Sequence, residues 1–147
     1  MEVELKRILL VEDNENDLEL TLDALKENKI VNAIDVARDG AEALDYLYSR
    51  GRWTDRKNGN PGVILLDLNL PKIGGLEDLK QIREDERLKL IPVVILTSSR
   101  EEKDIIEGYK LGTNAYVVKP VEFGSFVTAV KFLGAFWGVI NVPPLEK

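Results

Sequence analysis

The sequence predicts an α/β domain: a doubly wound, five-stranded parallel sheet with helices on both faces. Three observations lead there. Short, wholly apolar runs recur, as expected of strands buried on both faces of a parallel sheet. Between them lie stretches with apolar residues at helical spacing. The two kinds alternate along 147 residues, and alternation implies right-handed crossovers and a covered sheet.

Ile8, Leu9, Leu10 and Val11 form strand 1, which Glu12, Asp13 and Asn14 interrupt. Leu18, Leu22 and Leu25 follow at helical spacing with charged residues between them. Ala33, Ile34 and Val36 give a weaker strand 2. Gly40 reads as a break, after which Ala43, Leu44 and Leu47 mark the second helix. A polar loop covers residues 49–62, and Val63 to Leu66 form strand 3, ending at Asp67. Leu76, Leu79 and Ile82 mark the third helix, beyond the breaks at Pro71, Gly74 and Gly75. Pro92 opens strand 4, Val93 to Leu96, which ends at Thr97, Ser98 and Ser99. Ile105, Ile106 and Tyr109 mark the fourth helix, stopped by Gly112. Tyr116, Val117 and Val118 are strand 5, ending at Lys119 and Pro120, and a last helix starts near Val121. For five strands in a domain of this size the expected order is 2-1-3-4-5, with the switch point between strands 1 and 3.

Composition removes several chemistries. With no cysteine and no histidine, the chain has no disulfide framework, no Ser-His-Asp relay and no His-ligated zinc. Any metal must be a hard ion on oxygen ligands. The net charge of −6 argues against nonspecific nucleic-acid binding, which draws on Lys and Arg. No apolar run approaches the ~18 residues of a membrane span, and the short charged start, Met1 to Arg7, lacks a signal-peptide core. The expected setting is the cytoplasm, and the expected organisation is one domain over 1–147.

A strand-end aspartate such as Asp67 often does no more than cap a turn. Here the residues at the carboxyl ends of the strands form a set. Strand 1 supplies Glu12 and Asp13, strand 3 Asp67, strand 4 Thr97 and strand 5 Lys119. The expected order brings them to one sheet edge, where open α/β folds hold ligands. Two unit charges ~4 Å apart cost roughly 4 kcal/mol at an effective dielectric of 20. Three carboxylates gathered there call for a cation, and Mg²⁺ fits carboxylate, carbonyl and water ligands. A carboxylate can attack phosphorus to form an acyl phosphate. That transfer needs positioning and charge neutralisation more than acid–base groups, with Lys119, Thr97 and backbone amides after Asp67 as donors to the phosphoryl oxygens.

In these residues the chain resembles a response-regulator receiver domain of the chemotaxis-receiver kind, whose sheet has the flavodoxin-like order. The matching parts are Glu12-Asp13, the run Asp67-Leu68-Asn69-Leu70-Pro71, Thr97, and Lys119-Pro120. The match covers roughly 6–133, leaving 134–147 as a C-terminal extension. The resemblance implies that Asp67 is the phosphoacceptor. It implies Mg²⁺ on Asp13, Asp67 and the backbone carbonyl of Asn69, with Glu12 acting through water. It implies that Thr97 moves toward the phosphoryl group while Tyr116 turns inward, and that Asn69 and Ser99 tune dephosphorylation. The implied role is a phosphoacceptor that gains and loses its own phosphoryl group, without turnover of a separate substrate. Two departures stand out: Gly74 replaces the usual Asp, and Ser98 the usual Ala.

Two features exceed a minimal receiver. The loop 49–62 is long for an α/β connection, and its Trp53 serves either as a partner anchor or as a side chain folded back on the domain. In the last helix Phe123, Phe126, Val127, Val130, Leu133 and Trp137 make one stripe, while Phe132 and Phe136 fall on another face. A second apolar face suggests a homodimer, the alternative being a tail that folds back over its own domain. Small receivers with such a loop and tail resemble the partners of phytochrome-type sensor kinases. The expected partners are therefore a sensor histidine kinase, a downstream protein or phosphorelay partner, and a second copy, with neither nucleic acid nor membrane. With no histidine in the chain, the phosphoryl donor acts in trans.

Three rivals share the fold class. An aspartyl-phosphate hydrolase usually places its nucleophile after strand 1, with a second Asp two residues on; here that residue is Asn69 after strand 3. A nucleotide or flavin binder needs a phosphate loop after strand 1, and Glu12-Asp13 repels phosphate. A phosphorylation-independent docking module predicts partner affinity unchanged by Asp67→Asn.

Overall fold

The computed structural model describes residues 7–27, 33–56, 59–68, 74–97, 102–113 and 115–118. The described strands are β1 (Ile8–Val11), β2 (Ile34–Ala37), β3 (Val63–Leu66), β4 (Val93–Thr97) and β5 (Ala115–Val118). The helices are α1 (Glu15–Glu27), α2 (Gly40–Leu47), α3 (Gly75–Glu84) and α4 (Glu102–Lys110). The last helix and the tail expected after Val121 lie outside the described residues.

β2, β1, β3 and β4 are hydrogen-bonded neighbours in that order, all parallel. This is the order that alternation predicts, and it places the ends of β1 and β3 side by side, with Val11 paired to Leu66. The backbone of Ala115–Val118 runs parallel along the outer edge of β4, with Thr97 opposite Val118.

Successive strand residues face opposite sides, and the two sides bury different helices. Leu9, Val11, Ile64, Leu66, Val93 and Ile95 share a core with Ala43, Tyr46 and Leu47 of α2 and Leu79 and Ile82 of α3. Ile8, Leu10, Val63, Leu65, Val94 and Leu96 are equally buried and point the other way. Leu18, Thr21 and Leu25 of α1 are buried too, and their i, i+3, i+7 spacing makes one inward stripe.

Side chains and glycines set the helix ends. Asn14 caps α1: its Oδ1 accepts from the Asp17 N–H at 2.9 Å, the usual N-cap bond to the third helical residue. Asp39 caps α2, accepting from the Glu42 N–H at 2.7 Å. Gly40 is therefore the first residue of α2, where the sequence alone suggests a break. Gly112, with φ of 95°, closes α4 in a left-handed conformation. Tyr109, expected on the apolar stripe of α4, is 52% exposed, and the small Gly108 takes the buried position.

The long loop is tied down by aromatic contacts. Gly51–Trp53 form a 3-10 turn. Trp53 packs edge-on against buried Tyr46, with centroids 4.9 Å apart, and lies against the main core. The Arg52 guanidinium sits 4.4 Å over Trp53 and that of Arg56 4.1 Å over Tyr46, both within cation–π range. Of the two roles open to Trp53, the folded-back one is the arrangement found. Beneath it, the Tyr46 hydroxyl donates to Asp35 at 2.5 Å, and Arg7 grips the same carboxylate with two bonds of 2.6 and 2.7 Å. Burial alone would raise the Asp35 pKa, but hydrogen bonds from Arg7 and Tyr46 outweigh it and hold the carboxyl below its usual value.

Candidate functional site

β1 delivers the first two acids. It ends when the Glu12 N–H donates to the Ala37 carbonyl of β2 at 3.0 Å. The Glu12 side chain is 1% exposed and the next residue, Asp13, faces solvent. The cap of α1 falls to Asn14, so neither acid is spent on that helix terminus. A Glu12 carboxylate oxygen instead accepts from the Asn14 N–H at 3.3 Å.

β3 delivers the third acid. The Asp67 N–H donates to the Val11 carbonyl at 3.1 Å, extending the β1–β3 pairing by one bond past the strand. The Asp67 side chain is buried. The chain then turns back into α3, and its approach is close. The Gly75 N–H donates to the Leu68 carbonyl at 3.1 Å, and a Cβ added at Gly75 would lie 2.2 Å from the Asp67 carbonyl oxygen. Only glycine leaves room for that contact. Gly74, at the N-cap of α3, gives no side-chain cap bond. The substituted Asp position therefore costs the helix a cap.

One carboxylate oxygen from each of Glu12, Asp13 and Asp67 lies within 4.8 Å of the others. Residues distant in sequence meet because β1 and β3 are adjacent and end in register. The donor set is all oxygen and carries three formal negative charges, which suits a hard divalent cation. Asp13 leaves one side open to water and substrate. Such a cation would offset the charge of a phosphoryl group brought up to Asp67, which the three carboxylates alone would repel.

The other expected residues are located less fully. Thr97 is the last residue of β4 and Tyr116 pairs with Ile95 in the β4–β5 register; both are described by their backbone. Lys119, Asn69, Ser98 and Ser99 lie outside the described residues.

Comparison with known proteins agrees with this arrangement. Residues 8–131 match the family model "Response regulator receiver domain". Response regulator Rcp1 of Synechocystis is 39% identical over 132 residues, covering 90% of this chain and 88% of that protein. The structure of the Mn²⁺-bound form of Rcp1 superposes with a TM-score of 0.76 at 37% identity, over 97% of this chain and 99% of that one. The bacteriophytochrome response regulator RtBRR is 60% identical with a TM-score of 0.85, over 95% of this chain and 84% of that one. The phosphorylated cyanobacterial phytochrome response regulator RcpA is 41% identical with a TM-score of 0.76, over 90% of this chain and 94% of that one. With its acids gathered at the ends of β1 and β3 and these relatives along nearly its whole length, the chain belongs to the response regulator receiver domain family of two-component signalling.

Proposed function

We propose that Asp67 accepts a phosphoryl group from the phosphohistidine of a phytochrome-type sensor kinase. The observation that carries this reading is the Glu12–Asp13–Asp67 cluster, with carboxylate oxygens within 4.8 Å at the end of β3. Asp13, Asp67 and the Asn69 carbonyl would hold Mg²⁺, with Glu12 acting through water; the Mn²⁺-bound form of Rcp1 supports a divalent ion. Bound there, Mg²⁺ supplies charge neutralisation at the phosphoryl oxygens. An Asp67 oxygen attacks phosphorus, the donor's P–N bond breaks, and an acyl phosphate forms. Lys119, which follows Val118 in the sequence, and the Thr97 hydroxyl would take the remaining phosphoryl oxygens. A gain of ~1.5–2 negative charges biases the Thr97 loop, and Tyr116 turns inward behind it.

The domain acts as a switched binding surface in the cytoplasm, without turnover of a separate substrate, and the tail 134–147 pairs two copies. Similarity to RtBRR and RcpA supports the choice of kinase class. Phosphotransfer from a purified bacteriophytochrome kinase tests the reading. Label should move to wild type and not to Asp67→Asn. Kinase binding with no label on either protein would favour a docking module that works without phosphorylation.

A further inference from the structure

Asp78 is an acid that the phosphoryl chemistry does not use. It lies on the inward face of the first turn of α3, with Gly75, Leu79 and Ile82. It is 0% exposed, and among the described residues neither carboxylate oxygen has a hydrogen-bond partner. An unpartnered buried carboxylate is costly, so such a group holds its proton instead.

The surroundings reinforce this. α2 and α3 pack against each other. Among the described residues, the charged groups that act on Asp78 are Asp39, at the N-cap of α2, and Glu77 beside it, both acidic. Arg83 of the same helix is committed elsewhere, donating to the carbonyls of Gly112, Lys89 and Ile91. Burial first, then repulsion from Asp39 and Glu77, pushes the Asp78 pKa up to about 8. The same helical turn carries Gly75, whose backbone lies against Asp67 and Leu68.

We propose that Asp78 is a proton-sensitive latch: protonated, it seats the first turn of α3 on the core; losing its proton to solvent, it lets that turn open and release the contact of Gly75 with Asp67 and Leu68. The sign follows from linkage. The opened turn binds no proton on Asp78 above the ordinary carboxylate range, whereas the seated turn keeps one up to about pH 8. Opening therefore becomes easier as pH rises across that window, by up to about tenfold per pH unit, and levels off above it. Near neutrality the latch is partly undermined, which places the loop carrying Asp67 next to an easily opened segment.

Amide hydrogen exchange at pH 5.5, 6.5 and 7.5, corrected for intrinsic rates, tests this on the full chain. Wild type should show protection factors for the hydrogen-bonded amides of Gly75, Asp78, Leu79 and Asp67 that fall several-fold per pH unit and stay below those of β1. Asp78→Asn, which keeps the shape and cannot ionise, should show no such slope; Asp78→Leu serves if the Asn variant folds poorly. A flat wild-type profile would overturn the latch, as would an equal slope in the variant. So would a slope confined to the slowest strand amides, the mark of a buried acid that only lowers global stability. A slope in α3 absent from Asp67 would overturn the link to the end of β3. None of these readings depends on whether Asp67 accepts phosphate.

Discussion

Gly75 shows how one missing side chain sets the site. An added methyl would meet the Asp67 carbonyl at 2.2 Å and the Leu68 Cα at 2.7 Å, both backbone atoms that cannot swing aside. Gly75→Ala should destabilise the fold by about 1–3 kcal/mol, the usual cost of overpacking, and should lower divalent-ion affinity because the loop carrying Asp67 must shift; denaturant melts and ion titration would check both. Tyr46 makes a pH prediction. Burial, then its bond to Asp35, pushes its pKa up to about 12. The unfolded chain loses that proton near pH 10, so this contribution is intact below pH 10 and lost as pH climbs from 10 to 12. Tyr46→Phe should flatten the alkaline limb of the stability curve in denaturant melts. Glu12, Asp13 and Asp67 were legible in the sequence because each follows an apolar strand directly. The Arg7–Asp35–Tyr46 network was not, because its members are joined by folding and not by spacing. Asp78 was half-legible: helical spacing puts it on the Gly75–Leu79–Ile82 face, but only packing shows that no partner among the described residues meets it there.

Among the elements, α3 begins with a weak cap. Gly74 has the extended N-cap conformation but no side chain to accept from the first turn. Gly74→Asp should restore that bond and add a few tenths of a kcal/mol, visible as a small rise in the denaturation midpoint. Residues 51–56 of the loop behave as part of the domain because Trp53, Tyr46, Arg52 and Arg56 interlock. Trp53→Ala should cost about 3 kcal/mol, the low end for aromatic truncation, and should release the loop to proteolysis. Strand positions were legible because four-residue apolar runs have few alternatives once helices separate them. Gly40 was misread because glycine breaks helices in general, while here the preceding Asp39 caps the helix that Gly40 starts. The role of Trp53 was undecidable from sequence, since an anchor and a packed side chain have the same composition around them.

For the molecule as a whole, strand order does the central work. Placing β1 beside β3 converts two unrelated strand ends into one acidic site, at a repulsive cost that a bound cation relieves. Mg²⁺ should therefore raise the melting temperature, with a gain near 2.7 kcal/mol at a hundredfold excess over its dissociation constant, and Asp13→Asn should remove most of that gain. The most direct test of the central claim is intact mass after incubation with Mg²⁺ and acetyl phosphate, for wild type and Asp67→Asn. The account predicts a gain of one phosphoryl group that requires both Mg²⁺ and Asp67. No adduct on wild type, or an equal adduct on the variant, would contradict it.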